Sequence, residues 1–179
     1  MIVKETKIKD CVIIEPKVHG DDRGFFLESF QDKRYSEKAG IKLPFVQDNH
    51  SRSSKNVLRG LHFQKTKPQG KLVRVIKGKV FDVAIDIRPN STSFGESTFV
   101  ILSDKNKKQF WVPPGFAHGF LVLSDYADFE YKVTDYYDPS DEGSIIWNDP
   151  NLKIPWPTKS IPILSEKDSQ APFFKDTFK

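Results

Sequence analysis

The sequence has little sulfur and no long apolar run. Its 179 residues include one cysteine, Cys11, and one methionine. A lone cysteine excludes an intrachain disulfide, which is typical of proteins from a reducing compartment, so we expect a cytoplasmic protein. The first ten residues mix charged side chains with isolated apolar ones and contain no apolar region of the signal-peptide type. We therefore expect neither secretion nor a membrane partner.

An excess of one charge is also missing. Lys and Arg number 28 against 24 Asp and Glu, which gives a formal net charge of +4. A charge of this size suits an anionic ligand but excludes few functions. The densest basic stretch, Lys105, Lys107 and Lys108, lies in a polar turn. We interpret it as solvated surface and expect no nucleic-acid partner.

Aromatic residues, by contrast, are plentiful, with 15 Phe and 13% aromatics overall. Turn signals such as Lys77-Gly78 separate short segments rich in β-branched and aromatic residues. Such segments predict strands at 72–76, 80–87, 98–102, 110–112, 120–123 and 129–134. Strands at this spacing are typical of a sandwich or jelly roll. We expect one domain over residues 1–179.

Little of the sequence predicts helix. Residues 32–38 form one candidate, with Asp32 as N-cap and Gly40 as its end. The C-terminal third, with Pro150, Pro155, Pro157, Pro162 and Pro172, cannot hold long regular elements and should wrap around the barrel, held by Trp147 and Trp156. Within Phe81–Ile87 large apolar residues alternate with Asp82, Ala84 and Asp86, which predicts a strand with one face on the core and one facing something polar.

Two segments resemble the paired motifs of the cupins. Pro113-Pro114-Gly115-Phe116-Ala117-His118 matches their second motif, P-x-G-x-x-H. In the first motif His62 is followed by Gln64 instead of a second histidine, and counting back from Gly78 places Lys71 at the position of the ligand glutamate. An amide and an ammonium do not suit a divalent metal. The resemblance implies an all-β cupin-type jelly-roll barrel with short peripheral helices, and we expect no metal and no cofactor.

A narrower resemblance extends from near residue 20 to near residue 172. The chain resembles the dTDP-4-dehydrorhamnose 3,5-epimerase family, which groups metal-free cupin-fold nucleotide-sugar epimerases. The matching blocks are Arg23-Gly24-Phe25-Phe26 with Glu28, Gln47-Asp48-Asn49-His50-Ser51, Leu58-Arg59-Gly60-Leu61-His62-Phe63-Gln64, Gln69-Gly70-Lys71-Leu72-Val73-Arg74, Gly115-Phe116-Ala117-His118-Gly119-Phe120, Tyr131-Lys132-Val133-Thr134-Asp135-Tyr136-Tyr137, Glu142-Gly143 and Ser165-Glu166-Lys167-Asp168. Members of the family are homodimers that invert C3 and C5 of a dTDP-4-keto-6-deoxy sugar, so the resemblance implies that partner, that reaction and a homodimer.

Four residues would carry the chemistry. Inverting a carbon beside a ketone needs a base, an acid on the opposite face and stabilisation of the enolate. His62 suits the base because imidazole titrates near neutral pH, and the family pattern supplies Asp168 as its orienting carboxylate. The resemblance implies Tyr131 as the acid. Lys71 would stabilise the negative charge on the C4 oxygen.

The remaining matched residues would bind the nucleotide sugar. The resemblance implies that the diphosphate is bound by Arg23, Arg59, His118 and Lys167, and that the thymine lies between Phe25 and Tyr137. It also implies polar contacts from Gln47 and Asn49, with Glu28 and Glu142 completing the pocket. The N-terminal group of Arg23, Phe25 and Glu28 lies far upstream of His62, so we expect a strand that crosses into the partner of a homodimer. Strict alternation would place Arg59 and His62 on opposite faces, so a strand end or bulge is expected near Gly60.

Three other functions stay open at this point. A relative of the same fold could epimerise C3 or C5 alone, or move the ketone, and this sequence distinguishes those reactions poorly. A metal-dependent cupin oxygenase is argued against by Gln64 and Lys71. A non-enzymatic sugar- or nucleic-acid-binding module would not explain a base, an acid and an enolate-stabilising cation on one scaffold, and a salt titration would reveal binding dominated by phosphate contacts.

Overall fold

The computed structural model describes residues 1–178, which are mostly β-strand. The strands are β1 (Ile2–Glu5), β2 (Val12–Glu15), β3 (Val18–Asp21), β4 (Gly24–Leu27), β5 (Gln47–Ser54), β6 (Leu58–Gln64), β7 (Lys71–Lys77), β8 (Lys79–Asp86), β9 (Ser97–Ser103), β10 (Gln109–Val112), β11 (Phe116–Val122), β12 (Tyr126–Val133) and β13 (Glu142–Ser144). The helices are α1 (Asp32–Ala39), α2 (Glu166–Ser169) and α3 (Phe174–Thr177).

Two antiparallel sheets pack face to face. One has six strands in the order β1-β2-β10-β7-β12-β5, and the other has five in the order β13-β6-β11-β8-β9. Their inner faces form one apolar cluster in which Val73, Phe110 and Phe129 from the first sheet meet Val80 and Phe120 from the second. The hairpin β3–β4 stands apart as a two-stranded sheet. The expected all-β, cupin-type barrel with short peripheral helices is confirmed.

The aromatic and β-branched segments coincide with strands β7 to β12. Two of them begin well before the predicted segments: β11 at Phe116 instead of residue 120, and β12 at Tyr126 instead of residue 129. The first half of β11 contains Ala117, His118 and Gly119, residues that give no β-branched signal. Strand β5 is an edge strand that pairs, within residues 1–178, with β12 alone. Its residues are all polar, so its sequence showed no strand pattern.

The predicted helix is present, but its cap was assigned wrongly. The N-cap is Gln31, whose side-chain Oε1 accepts a hydrogen bond from the Arg34 amide at 2.6 Å. Asp32 is instead the first helical residue, where its negative charge is stabilised by the positive end of the helix dipole. Gly40 ends the helix as expected, in the left-handed conformation at φ 71°.

The C-terminal third wraps the outer face of the five-stranded sheet. Trp147 and Trp156 both pack against the cluster formed there by Phe81 and its neighbours. The Trp156 Nε1 donates to the Trp147 carbonyl at 2.8 Å, so the two indoles hold the segment as predicted. This path leads the chain back to the barrel opening, where α2 begins. Across residues 1–178, no helix is both long and apolar enough to span a membrane.

Candidate active site

Two adjoining cavities, of about 390 and 290 Å³, lie in the barrel. His62, Lys71 and Tyr131 line both of them. His62 comes from β6 of the five-stranded sheet, whereas Lys71 and Tyr131 come from β7 and β12 of the six-stranded sheet. The three side chains therefore approach one space from two opposing walls.

A bulge in β6 brings Arg59 to the same space. Between the pairs His118–His62 and Phe120–Arg59, β6 advances three residues while β11 advances two. Gly60 lies in this bulge at φ 125°, and a Cβ atom there would lie 2.6 Å from the Gly119 Cα, so glycine is required. The expected irregularity near Gly60 is confirmed, and Arg59 and His62 both line the larger cavity.

His62 is held by a buried carboxylate. Its Nε2 lies 2.5 Å from Asp168 Oδ1, and Asp168 is 3% exposed. Burial raises the pKa of Asp168, but its hydrogen bond and charge interaction with His62 outweigh this and hold the pKa below its ordinary value. Asp168 is thus ionised at neutral pH. With Nε2 engaged, Nδ1 is the ring nitrogen left for another proton partner, and it lies 3.9 Å from Glu142 Oε1.

Lys71 is a buried cation beside these groups. Burial lowers its pKa from 10.5 to about 8, although Glu142 and Asp82 act to raise it. Its Nζ lies 3.5 Å from the His62 carbonyl oxygen, which is a long contact that leaves most of its hydrogen-bonding capacity for a ligand. An ammonium so placed can stabilise an oxyanion that forms in the cavity.

Tyr131 faces the cavity from the opposite wall to His62. Burial raises the pKa of its phenol, the nearby Arg59 guanidinium lowers it, and Glu142 raises it. The phenol is therefore protonated at neutral pH and can donate a proton. Arg59 is the cation that would ease its ionisation.

The cupin ligand positions are used for other purposes. The Gln64 amide donates to the carbonyls of Lys67 and Tyr136, and its oxygen accepts from the Asp138 amide at 2.8 Å. Gln64 thus fixes two loops, and its amide oxygen, already accepting from Asp138, is a poorer metal ligand than imidazole, while Lys71 offers a positive charge. Within residues 1–178, no three His, Cys, Asp or Glu side chains are grouped as a metal site.

His118 is paired with an acid, Asp82, that was not among the predicted site residues. Its Nε2 lies 2.9 Å from Asp82 Oδ1, and both residues are buried. The other Asp82 oxygen has no hydrogen-bond partner among the described residues. Burial raises the pKa of Asp82, against the opposing effects of His118 and Lys71. The alternation in Phe81–Ile87 predicted that the face with Asp82 and Ala84 meets something polar, and in the structure that face is turned to the barrel interior.

Glu142 links the residues expected at the nucleotide end. Its carboxylate accepts from the Tyr137 hydroxyl at 2.8 Å and pairs with the Lys167 ammonium. Burial raises the pKa of Glu142, but the bonds from Lys167 and Tyr137 hold it below its ordinary value. The same hydrogen bond raises the pKa of Tyr137 to about 12. Gln47 completes the group by accepting from the Tyr137 amide at 3.1 Å.

Gln47 also donates to the Asn49 oxygen at 2.9 Å, and both residues line the smaller cavity. The structure thus brings eleven of the fourteen expected site residues to the two cavities. Arg23, Phe25 and Glu28 are not among the lining residues that the described chain provides. The Arg23 guanidinium binds Asp21, Phe25 is 60% exposed on the β3–β4 hairpin, and Glu28 pairs with Arg34.

Comparison with known proteins identifies the family. Residues 5–176 match the model of the dTDP-4-dehydrorhamnose 3,5-epimerase family. The chain belongs to this family. It is 58% identical to the dTDP-4-dehydrorhamnose 3,5-epimerase of Salmonella typhimurium over 173 residues, which cover 96% of this chain and 94% of the relative. It is also 58% identical to the epimerase of Escherichia coli, with 95% of this chain and 92% of the relative covered.

A solved structure of another relative shows the same fold. The dTDP-6-deoxy-D-glucose-3,5-epimerase of Legionella pneumophila Philadelphia 1 superposes with a TM-score of 0.94 at 58% identity, covering 96% of this chain and 92% of that one. That protein was solved in complex with dTDP-4-keto-L-rhamnose. The present chain is accordingly an epimerase that acts on a dTDP-sugar, and its barrel site is the place to assign the reaction.

Proposed function

We propose that this enzyme converts dTDP-4-dehydro-6-deoxy-D-glucose to dTDP-4-dehydro-L-rhamnose, a step in dTDP-L-rhamnose biosynthesis. The observation that carries the proposal is the placement of a carboxylate-bound histidine and a protonated tyrosine on opposing walls of one cavity, with a buried lysine at the same cavity. The relatives at 58% identity are named for this reaction.

His62 is the base in this scheme. Its Nδ1 would take the proton from C5 or C3 while Nε2 stays bonded to Asp168. The ionised Asp168 stabilises the imidazolium that forms and fixes the ring orientation, because its carboxylate is buried and lies 2.5 Å from Nε2. The electron pair left on carbon moves to the C4 oxygen as an enolate.

Lys71 and Tyr131 complete the inversion. The Lys71 ammonium would stabilise the enolate oxygen, an interaction that is strong in a site from which water is excluded. Tyr131 would return a proton to the face opposite His62, and the Arg59 guanidinium would stabilise the phenolate that results. Repeating the exchange at the second carbon gives the doubly inverted sugar.

The dTDP group would bind towards the cavity rim. Arg59, His118 and Lys167 supply donors for the diphosphate, with Gln47 and Asn49 as polar contacts. Tyr137 is 51% exposed and could stack on thymine through its ring face. Glu142 would hold Tyr137 and Lys167 in place, since both contact its carboxylate.

We further propose that the enzyme is a cytoplasmic homodimer built from one domain per chain. Phe25 and the neighbouring Phe26 are 60% and 70% exposed on the β3–β4 hairpin, and neither lines the two cavities of its own chain. Seating this hairpin at a partner's cavity would bury both rings and would supply Arg23, Phe25 and Glu28 there. Light scattering should give a dimer; a fully active monomer would contradict this assignment.

Turnover in D₂O tests the reaction itself. Each inverted carbon receives a proton from a group that has exchanged with solvent, so the product should carry two deuterons, one at C3 and one at C5. A coupled 4-ketoreductase should then yield dTDP-L-rhamnose. Deuterium at one carbon would reassign the enzyme as a single-site epimerase, and none at either carbon would refute epimerisation.

A further inference from the structure

Residues 158–165, which we call the strap, form one wall of the larger cavity and lead into α2. Ile163, Leu164 and Ser165 of the strap line the cavity, and Asp168 follows within one turn of helix. The Ser165 side chain caps α2 by accepting from the Asp168 amide at 3.1 Å. The position of the strap therefore sets where the Asp168 carboxylate meets His62.

The strap is bonded to the turn between β5 and β6 mainly through one residue, Asn56. The Asn56 Nδ2 donates to Ser160 Oγ at 3.2 Å and to the Ile161 carbonyl at 3.1 Å, while its Oδ1 accepts from Thr158 Oγ1 at 3.1 Å. The Asn56 carbonyl accepts from the Ile163 amide at 2.8 Å. The Asn56 side chain thus holds the first half of the strap. Ile163 is held by backbone bonds, to the Asn56 carbonyl and from the Leu58 amide, which donates to the Ile163 carbonyl at 3.0 Å.

Asn56 is itself fixed to the barrel. Its amide donates to the Val122 carbonyl at the end of β11 at 3.0 Å. It adopts the left-handed conformation at φ 64°, which asparagine tolerates better than most residues. The hydrogen bonds from Asn56 therefore connect the strap to the five-stranded sheet, which carries His62 and His118. We call Asn56 and these bonds the clamp.

Apolar burial contributes less to holding the strap. Pro162 is buried and Leu164 is half-buried, but Ile161 and Ile163 are 82% and 56% exposed. Two exposed isoleucines in a short segment leave little hydrophobic free energy to fix it. Hydrogen bonds to Asn56, together with the backbone bond from Leu58 to Ile163, supply much of the remaining order.

We propose that Asn56 is a positioning residue for the epimerisation, which acts through the strap by holding Asp168 in register with His62. The inference rests on the proposed function, in which His62 is the base. Asn56 itself does not touch the reacting atoms. Its loss lets the strap shift, and displacement of a catalytic group by about 1 Å can cost up to ~100-fold in rate.

Two substitutions separate the clamp from the backbone. Asn56→Gly accepts the positive φ but deletes the three side-chain hydrogen bonds. Asn56→Asp keeps the acceptor for Thr158 and loses both donors. Lys153→Gly is the matched control, because Lys153 also has a positive φ, 48°, and its side chain is exposed. Lys153 lies in the C-terminal third, as the strap does, but outside the strap.

The decisive measurement is a double-mutant cycle with Asp168→Asn. We expect Asn56→Gly and Asn56→Asp to lower kcat roughly tenfold in the wild-type background and less than about twofold in the Asp168→Asn background, since the residue acts through Asp168. Lys153→Gly should leave kcat unchanged. Equal losses in both backgrounds would mean that Asn56 only stabilises the fold, and would overturn the proposal.

Amide hydrogen exchange gives a readout that does not depend on turnover. The amides of Ile163 and Asp168 should exchange at least about tenfold faster in Asn56→Gly, while the amides of α1 keep their rates. Unchanged exchange in the strap would overturn the clamp even if activity fell. Absence of epimerisation by the wild-type enzyme would instead refute the proposed function, and the exchange rates would still decide whether Asn56 holds the strap.

Discussion

Replacing Lys71 with methionine should stabilise the enzyme while abolishing its activity. The side chain is 9% exposed, and burial lowers its pKa from 10.5 to about 8. A displacement of 2.5 units at about 1.36 kcal/mol per unit means that the folded enzyme holds the charged lysine at a cost of about 3 kcal/mol. Methionine has a similar length and no charge, so it removes that cost along with the cation that stabilises the enolate.

The stability difference between Lys71→Met and the wild type should depend on pH. Between pH 8 and 10.5 the unfolded chain binds the Lys71 proton and the folded chain releases it, so the stability of the wild type rises with pH in this window. The advantage of Lys71→Met should therefore be full below pH 8. It should fall to about 1 kcal/mol at pH 10.

Urea denaturation of both proteins at pH 7 and pH 10, at one protein concentration, measures this difference. Deuterium incorporation into the substrate measures the activity. If Lys71→Met is less stable than the wild type at pH 7, or if its advantage is the same at both values of pH, the burial argument is wrong. Retention of activity by this variant would remove Lys71 from the mechanism.

Other substitutions test the remaining parts of the site. His62→Ala should abolish proton exchange at carbon. Tyr131→Phe should retain proton loss and return from one face without inversion, which solvent exchange into unreacted substrate would show. Full epimerisation by Tyr131→Phe would exclude Tyr131 as the acid. Gly60→Ala should lower the folding yield and thermal stability sharply, because its Cβ would meet the Gly119 backbone; a normal melting temperature would contradict the bulge geometry. Dialysis against a chelator should leave turnover unchanged, and reactivation by Fe²⁺ or Zn²⁺ would refute metal-free catalysis.

The sequence predicted the barrel wherever packing was encoded locally. Strands such as β8 alternate apolar and polar residues or concentrate β-branched ones, so their existence follows from local pattern. The cap of α1 was missed because Gln31 and Asp32 are both able to accept a hydrogen bond, and only the backbone conformation selects Gln31. Strand β5 was not predicted, because it lies at the edge of its sheet and its polar residues show no alternation of apolar and polar side chains.

The site was predicted less evenly than the fold. His62, Lys71 and Tyr131 came from motif resemblance, and the structure groups them because β6 faces the neighbouring strands β7 and β12 across the barrel. Asp82 was read as one of several polar residues on an alternating strand, since nothing in the local sequence shows that His118 lies 2.9 Å away on the next strand. The clamp at Asn56 is equally invisible, because its partners lie more than 100 positions later in the chain.

Asp82 helps to explain how a buried lysine stays charged at neutral pH. Burial would lower the pKa of Lys71 further if the carboxylates of Glu142 and Asp82 did not oppose it. Glu142 contacts two proposed binding residues, Tyr137 and Lys167, whereas Asp82 contacts one, His118, so Asp82→Asn disturbs fewer of them. Removing this charge should lower the pKa of Lys71 below about 8, so activity should be lost at lower pH on the alkaline side.

The pH profile of kcat for Asp82→Asn, compared with wild type, measures this shift. Asp128→Asn is a suitable control, because the Asp128 carboxylate pairs with Arg52 and His50 and is not among the groups that shift Lys71. An alkaline limb that moves in both variants would indicate a general effect of lost negative charge. A limb that stays in place in Asp82→Asn would show that the Asp82 carboxylate, although buried beside His118, does not hold the proton on Lys71.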